Sequence, residues 1–273
     1  MNKKGRTIGV ILISIVFALF IYFIVIERPG MIPRVDTYLN STNTTNAPLN
    51  QNSIKIANWN LQIFGDSKAS NSTLMSFYVN KITNYDIIFI QEIRDADGSS
   101  FDSLCGMLSN YKCSISSRAG RSSSKEQYGV IYKKEMIIEE VKDYNPDVED
   151  RWERPPIRIK VYNMSIYNIH IKPENVKEEL YYLEQLIPKE TNTIVLGDFN
   201  MDCSYYNTES NSEFDTWTPT VPDTSDTTVS SNECAYDRLF YYDTHIINSG
   251  IDRESITKDI SDHYLIWAEI SNI

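Results

Sequence analysis

Histidine is scarce in this chain, with three among 273 residues. No C-x-x-C pair and no His-rich spacing accompanies the four cysteines, which excludes a zinc knuckle or finger. An excess of basic residues is lacking too: 26 Lys and Arg stand against 37 Asp and Glu, a formal net charge of −11. A protein that coats nucleic acid with a uniformly basic surface is therefore excluded. An acidic enzyme can still act on a polyanion if its cleft is locally basic or holds a metal ion. No internal repeat is present.

A hydrophobic share of 41% and 18 Tyr are enough for one large α/β domain with a substantial core. The N-terminus stands apart. Lys3, Lys4 and Arg6 precede an uncharged run over residues 8–26. As a helix that run would be about 28 Å long, close to the hydrocarbon thickness of a bilayer. It ends in Phe23-Ile24-Val25-Ile26-Glu27-Arg28, with no small-x-small cleavage site. Residues 1–28 therefore read as a membrane anchor, with a cleaved signal segment as the alternative. The three positive residues ahead of the run favour an inside N-terminus, so the body would lie outside the cytoplasm. Residues 29–52 are rich in Asn, Thr, Ser and Pro and read as a flexible linker. The folded domain is expected over 53–273.

Four cysteines suit an oxidising compartment; four free thiols in a reducing one is the alternative. Three pairings are open, and the spacing does not choose among them. The local pairs, Cys105 with Cys113 and Cys203 with Cys234, are the simplest.

Short β-rich runs alternate with helical patterns. Strands are expected over 54–60, 85–93, 127–133, 157–162, 164–171, 193–196, 236–241 and 264–270. Leu74, Phe77, Tyr78 and Ile82 recur at helical spacing over 70–84, with Asn71 or Ser72 as the cap. Pro173 opens a second helix with the stripe Val176, Leu180, Leu183 and Ile187. Many strands and two or three helices point to an α/β protein with sheets packed on each other and helices outside.

Chemically capable residues follow several apolar runs directly: Asn60, Glu92, His170, Asp198 with Asn200, and Asp262 with His263. Strand ends converging on one sheet edge are where α/β proteins place their sites. Asp198 and Asn200 follow Gly197 at the end of a buried strand. A carboxylate and an amide oxygen side by side suit a hard cation, or a water near a phosphate; a strand-ending turn explains the same residues. Glu92 follows residues that should be buried, so it needs a metal or a partner, and Arg94 is the alternative partner. Two of the three histidines, His170 and His263, lie at strand boundaries, one beside an Asp, as acid–base groups would. His245 lacks such company and reads as structural.

These fragments, in order, resemble the deoxyribonuclease I family within the endonuclease–exonuclease–phosphatase group. The matching pieces are Ile56-Ala57-Asn58-Trp59-Asn60, Gln91-Glu92-Ile93-Arg94, the stretch from Gly120 to Tyr128, Trp152-Glu153-Arg154-Pro155-Pro156, Asn168-Ile169-His170, the stretch from Gly197 to Tyr205, Cys234-Ala235-Tyr236-Asp237-Arg238 and Ile260-Ser261-Asp262-His263-Tyr264. The resemblance implies a four-layer α/β sandwich of two mostly antiparallel sheets with flanking helices. It implies a Mg²⁺- or Mn²⁺-dependent endonuclease acting on DNA, with structural Ca²⁺ in addition. Glu92, Asn60 and Asp262 would hold the metal. His170 with Glu126, and His263 with Asp237, would form two acid–base couples beside Asp198. Asn200 and Arg154 would bind the phosphate, and Arg94 would reach DNA. The family also pairs Cys203 with Cys234. No obligate protein partner is implied, so a monomer is expected, with the membrane as a further contact of the N-terminal segment.

The departures from the family pattern are Gln62 in place of an Arg, Ser124 in place of a stacking aromatic, and Pro155 in place of an acidic residue. They bear on the grip on duplex DNA and leave every catalytic group in place. Two rival functions remain at this level: a sphingomyelinase-like lipid phosphodiesterase and a catalytically inactive surface-binding domain. The nuclease-particular cysteine pieces weigh against the first, and the complete set of carboxylates and histidines against the second.

Overall fold

The computed structural model describes residues 53–271. The expected anchor (1–28) and linker (29–52) lie outside the described residues. Among the described residues no helix is long and apolar enough to cross a membrane.

Two six-stranded sheets make up the body. The first contains β1 (Ser53–Phe64), β2 (Ile87–Ile93), β3 (Tyr111–Ile115), β4 (Gln127–Lys133), β11 (Ile246–Asp252) and β12 (Leu265–Ser271), in the order β11-β12-β1-β2-β4-β3. The second contains β5 (Ile138–Asp143), β6 (Ile157–Val161), β7 (Met164–His170), β8 (Thr193–Asp198), β9 (Thr218–Pro219) and β10 (Asp237–Tyr242), in the order β5-β6-β7-β8-β10-β9. Each sheet has a parallel pair at its heart, β1 with β2 and β7 with β8, among antiparallel neighbours. The sheets are thus mixed but mostly antiparallel, as expected, with the one parallel pair in each as the feature the sequence patterns did not give.

Period-two alternation sorts the side chains into three apolar layers. Ile54, Ile56, Ile87 and Phe89 of the first sheet meet Ile166, Ile194 and Leu196 of the second in the central layer. Ala57, Trp59, Ile88 and Ile90 face outward beneath α1 (Asp66–Ala69), α2 (Ser72–Ile82) and α3 (Ser99–Gly106). Tyr167, Ile169 and Val195 face α4 (Val176–Leu186) on the far side. Each fully buried Ile, Leu, Val or Phe among these stabilises by roughly 1.5–3 kcal/mol relative to exposure. Asn71 caps α2, accepting the Thr73 and Leu74 N–H groups. Pro173 opens a 3-10 turn (Pro173–Asn175) that leads into α4.

The short elements α1, α3, β3, β5, β9 and β11 escaped the sequence patterns. Burial explains part of this: β5 and β11 are edge strands with few buried residues, so they carry no alternation to read.

Candidate active site

The inner face changes character toward the C-terminal ends of the parallel pairs. On β1 it runs Ile54, Ile56, Asn58, Asn60; on β2 Ile87, Phe89, Gln91; on β7 Ile166, Asn168, His170; on β8 Ile194, Leu196, Asp198. Asn58, Gln91 and Asn168 close a buried amide cluster between the sheets. Gln91 Nε2 donates to Asn58 and, at 2.9 Å, to Asn168, while Asn168 Nδ2 donates to Asn58 at 2.7 Å. Above that polar layer Asn60, His170 and Asp198 come together at the strand ends, and the space they face is the cleft.

Local irregularities aim the remaining groups. The β1–β2 and β2–β4 registers shift just where the cleft begins. Glu92 has φ +59 there, so its carboxylate leaves the strand parity and turns into the cleft. Gly197 sits opposite Ile169, and any Cβ at that position would meet the Ile169 carbonyl oxygen at 1.9 Å. Only glycine lets β7 and β8 approach closely enough to set His170 beside Asp198.

Two imidazole–carboxylate couples face one carboxylate. His170 Nδ1 lies 2.6 Å from Glu126 Oε1, and His263 Nδ1 lies 2.8 Å from Asp237 Oδ2. Their Nε2 atoms stand 3.4 Å and 3.5 Å from the same oxygen, Asp198 Oδ2. Asn60 Nδ2 donates to that oxygen at 3.1 Å and to Glu92 Oε1 at 3.2 Å. Asn200, in the left-handed region at φ +49, donates its backbone N–H to Asp198 Oδ1 and its Nδ2 to the Ile171 carbonyl.

The charges are strongly coupled. Burial opposes ionisation of Glu126, but His170, Arg154 and Arg94 outweigh it and pull the carboxyl down to about 2. Burial and Arg154 both disfavour a proton on His170, yet Glu126 and Asp198 raise the imidazole above its ordinary value. Burial likewise opposes protonation of His263, while Asp237, Asp198 and Asp262 lift it well above the usual range. Burial also pushes the Asp237 carboxyl up. The His263–Asp237 pair therefore holds one proton, and the two extra carboxylates keep it on the imidazole.

Arg154 donates from Nε to the His170 carbonyl at 2.9 Å and stands 3.0 Å from Glu126 Oε1. Its Nη2 is buried without a partner. Arg94 is drawn onto the protein, 3.1 Å from Glu126 Oε2 and 3.8 Å from Glu92 Oε2. The Glu92–Arg94 pairing expected as an alternative thus exists only at long range. His245 lies elsewhere, against Ser271.

The donor set suits a hard divalent cation on the Glu92 side of the cleft. Burial raises the Asp262 carboxyl against the opposing pull of His263, and the nearby Glu92 and Asp198 carboxylates add to the rise. Asp262 Oδ1 is buried without a hydrogen-bond partner. Glu92, Glu126 and His170 also present atoms within 4.8 Å of one another. Glu126 is the weak member of that trio, since both its oxygens already serve His170, Arg154 and Arg94. Asn60 has its Oδ1 taken by the Gln62 N–H, so its amide nitrogen faces the carboxylates.

The sequence reading missed several supports. Tyr128 accepts the His170 N–H and donates to the Arg154 carbonyl. Ser261 ties Asn60 to His263, and Thr227 receives the Asp237 N–H. Lys68 clamps the carbonyls of Leu61 and Ile260. Tyr128 and Ser261 stand inside the matching motifs; Thr227 and Lys68 carry no local signal. Cysteines 203 and 234 are joined, tying the loop after Asn200 to the start of β10, and Cys105–Cys113 ties α3 to β3 away from the cleft. Two disulfides fit an extracellular protein.

The Endonuclease/Exonuclease/phosphatase family model matches residues 57–263. Chicken (Gallus gallus) deoxyribonuclease-1 is 35% identical over 219 residues, covering 68% of this chain and 76% of its own. Human (Homo sapiens) deoxyribonuclease-1 is 31% identical over 215 residues, with the same coverage. Rat (Rattus norvegicus) deoxyribonuclease gamma is 29% identical and covers 80% of each chain. Among solved structures, a mannosyl-6-phosphatase from Bacteroides thetaiotaomicron superposes with a TM-score of 0.59 at 17% identity, over 80% of this chain and 100% of its own. That likeness concerns the fold alone. The chain belongs to the endonuclease/exonuclease/phosphatase family, in its deoxyribonuclease I branch.

Proposed function

We propose that residues 53–273 form a divalent-metal-dependent endonuclease that hydrolyses DNA phosphodiester bonds outside the cytoplasm. The observation that carries this reading is the convergence of both histidine Nε2 atoms on Asp198 Oδ2, each imidazole backed by its own carboxylate. In-line displacement at phosphorus needs one group to take a proton from water and another to give one to the leaving oxygen. His263, beset by three carboxylates, keeps its proton and is assigned as the acid. His170, raised less far than His263 because Arg154 opposes its protonation, is assigned as the base. Glu126 and Asp237 fix the two rings through Nδ1. Asp198 and Asn200 orient water and phosphate. The unpartnered Nη2 of Arg154 would donate to a phosphoryl oxygen as its charge grows. Arg94 would turn from its carboxylates toward the DNA backbone.

Glu92 and Asp262, supported by Asn60, would hold Mg²⁺ or Mn²⁺, which when bound would supply further charge neutralisation at the phosphate. The relatives named deoxyribonuclease supply DNA as the substrate. The disulfides support an extracytoplasmic setting, and the apolar run over 8–26 would tether the domain there. Structural Ca²⁺ and a monomeric state complete the proposal.

The test is nicking of supercoiled plasmid by purified residues 51–273 with Mg²⁺ or Mn²⁺, with and without chelator, beside His170→Ala and Glu92→Gln. Metal-dependent nicking lost in both variants is the expected result. A folded, oxidised domain that leaves the plasmid intact would remove the nuclease reading.

A further inference from the structure

Glu179 is a carboxylate on the buried stripe of α4, with no solvent exposure, where Val176, Leu180 and Leu183 are its apolar neighbours. Burying a carboxylate at such a place is unfavourable unless its oxygens are used. Both are. Oε1 accepts the Glu153 N–H at 2.9 Å and Oε2 accepts the Lys172 N–H at 3.1 Å. The Glu179 backbone carbonyl takes a third bond, from Trp152 Nε1 at 3.0 Å. One helical residue thus ties the segment before Arg154 to the segment after His170. Between the two ties, Arg154 bonds the His170 carbonyl and Glu126.

We propose that Glu179 is a positioning residue for phosphodiester hydrolysis, which fixes Arg154 and His170 in mutual register from behind the cleft without touching the reacting atoms. The proposal rests on the roles given above to Arg154 and His170. A leucine at 179 would pack as well against the helix's neighbours, but it would free both N–H groups and let the Trp152–Arg154 segment shift relative to β7. Misplacement by about 1 Å is enough to cost on the order of a hundredfold in rate. The unpartnered Nη2 of Arg154 gives the register a purpose, because a donor aimed at a phosphoryl oxygen must be set before the substrate arrives.

The experiment compares Glu179→Gln in two backgrounds, wild type and Arg154→Ala, on plasmid and on a chromogenic phosphodiester. Gln cannot accept both N–H groups, since its amide nitrogen must face one of them. In the wild-type background kcat is expected to fall ~10–100-fold with KM within about twofold. In the Arg154→Ala background the further fall should shrink to about twofold or less, because the two residues act as one unit. A full, additive loss in both backgrounds, or a rise in KM alone, would overturn the proposal. A crystal structure of Glu179→Gln decides the placement without turnover: displacement of Arg154 from the His170 carbonyl supports it, and an unmoved pair refutes it. Should the wild type cleave neither substrate, the functional reading fails while the structure still judges the ties. Trp152→Phe, which removes the third bond and leaves the carboxylate, serves if Glu179→Gln does not fold; it should show the same pattern in milder form.

Discussion

Nδ1 of His263 lies 2.8 Å from Oδ2 of Asp237, and both groups are buried. The carboxylate holds the ring by Nδ1, so Nε2 carries the exchangeable proton toward Asp198. Asp237→Asn would offer an amide in its place and lose the charge that keeps the imidazolium protonated. We expect kcat to fall by roughly 10²–10⁴-fold with little change in KM. The pH profile gives the more specific check. An acid must be protonated to act, and the high affinity of His263 for its proton puts the alkaline limb of the profile above 6.5. Asp237→Asn should move that limb to lower pH. A limb that stays in place would mean that another group is the acid.

Thermal stability should vary with pH in two windows of opposite sign. The folded-state pKa of Glu126 is about 2 against an ordinary 4.5, so its contribution is present above 4.5 and is lost as pH falls toward 2. The full effect is on the order of 3 kcal/mol. His263 has a raised folded-state pKa, so its contribution is present below 6.5 and is lost as pH rises through the folded value. Melting curves of Glu126→Gln and His263→Ala should each be flatter than the wild type in the corresponding window alone.

Much of this site is legible in sequence because the polar residues interrupt apolar strands. Asn60, His170 and Asp198 each continue the inner-face parity of a strand, so alternation alone predicts that they share a face. Glu92 breaks parity; its placement depends on a bulge and a positive φ that no local pattern announces. The partners of the histidines are not legible from spacing, since Glu126 and Asp237 come from other strands or loops, and the family resemblance supplied them. Glu179 did leave a signal, a charged residue on an apolar helix stripe, but its use depends on two backbone N–H groups 26 and 7 residues away. The mixed character of the sheets follows from helical crossovers that join the successive strands β1 to β2 and β7 to β8, and strand-by-strand patterns do not encode strand direction.

The two disulfides should contribute unequally. Cys203–Cys234 closes a separation of 31 residues and Cys105–Cys113 one of 8. On the chain-entropy account they stabilise by about 4 and about 2–3 kcal/mol respectively. Cys203→Ser should also lower activity, since that bridge links the loop after Asn200 to the strand bearing Asp237. Cys105→Ser should lower the denaturation midpoint and leave kcat unchanged. Chemical denaturation paired with nicking assays of the two variants separates these effects; equal activity losses would remove the link between the longer bridge and the cleft.

Ser124 and Gln62 bear on substrate grip. Ser124 is exposed on the loop that leads into Glu126, and Gln62 stands at φ +48 just beyond Asn60. Neither side chain offers the stacking face or the cation that the family pattern supplies at these positions. Ser124→Tyr adds a flat apolar surface beside the cleft without touching Glu126. Aromatic stacking on nucleic acid is worth about 1–3 kcal/mol, so DNA binding should tighten by roughly five- to 150-fold. Gln62→Arg adds a phosphate-reaching cation instead. Its signature is electrostatic: the salt dependence of log Kd should steepen by about one charge. Fluorescence anisotropy of a labelled duplex, with cleavage suppressed by His170→Ala, measures both. A gain for Ser124→Tyr at all salt concentrations, beside one for Gln62→Arg that fades at high salt, would show that this enzyme grips duplex DNA weakly for want of these two contacts. If neither variant tightens binding, the DNA path runs elsewhere on the rim, and a substrate other than regular duplex becomes the stronger reading.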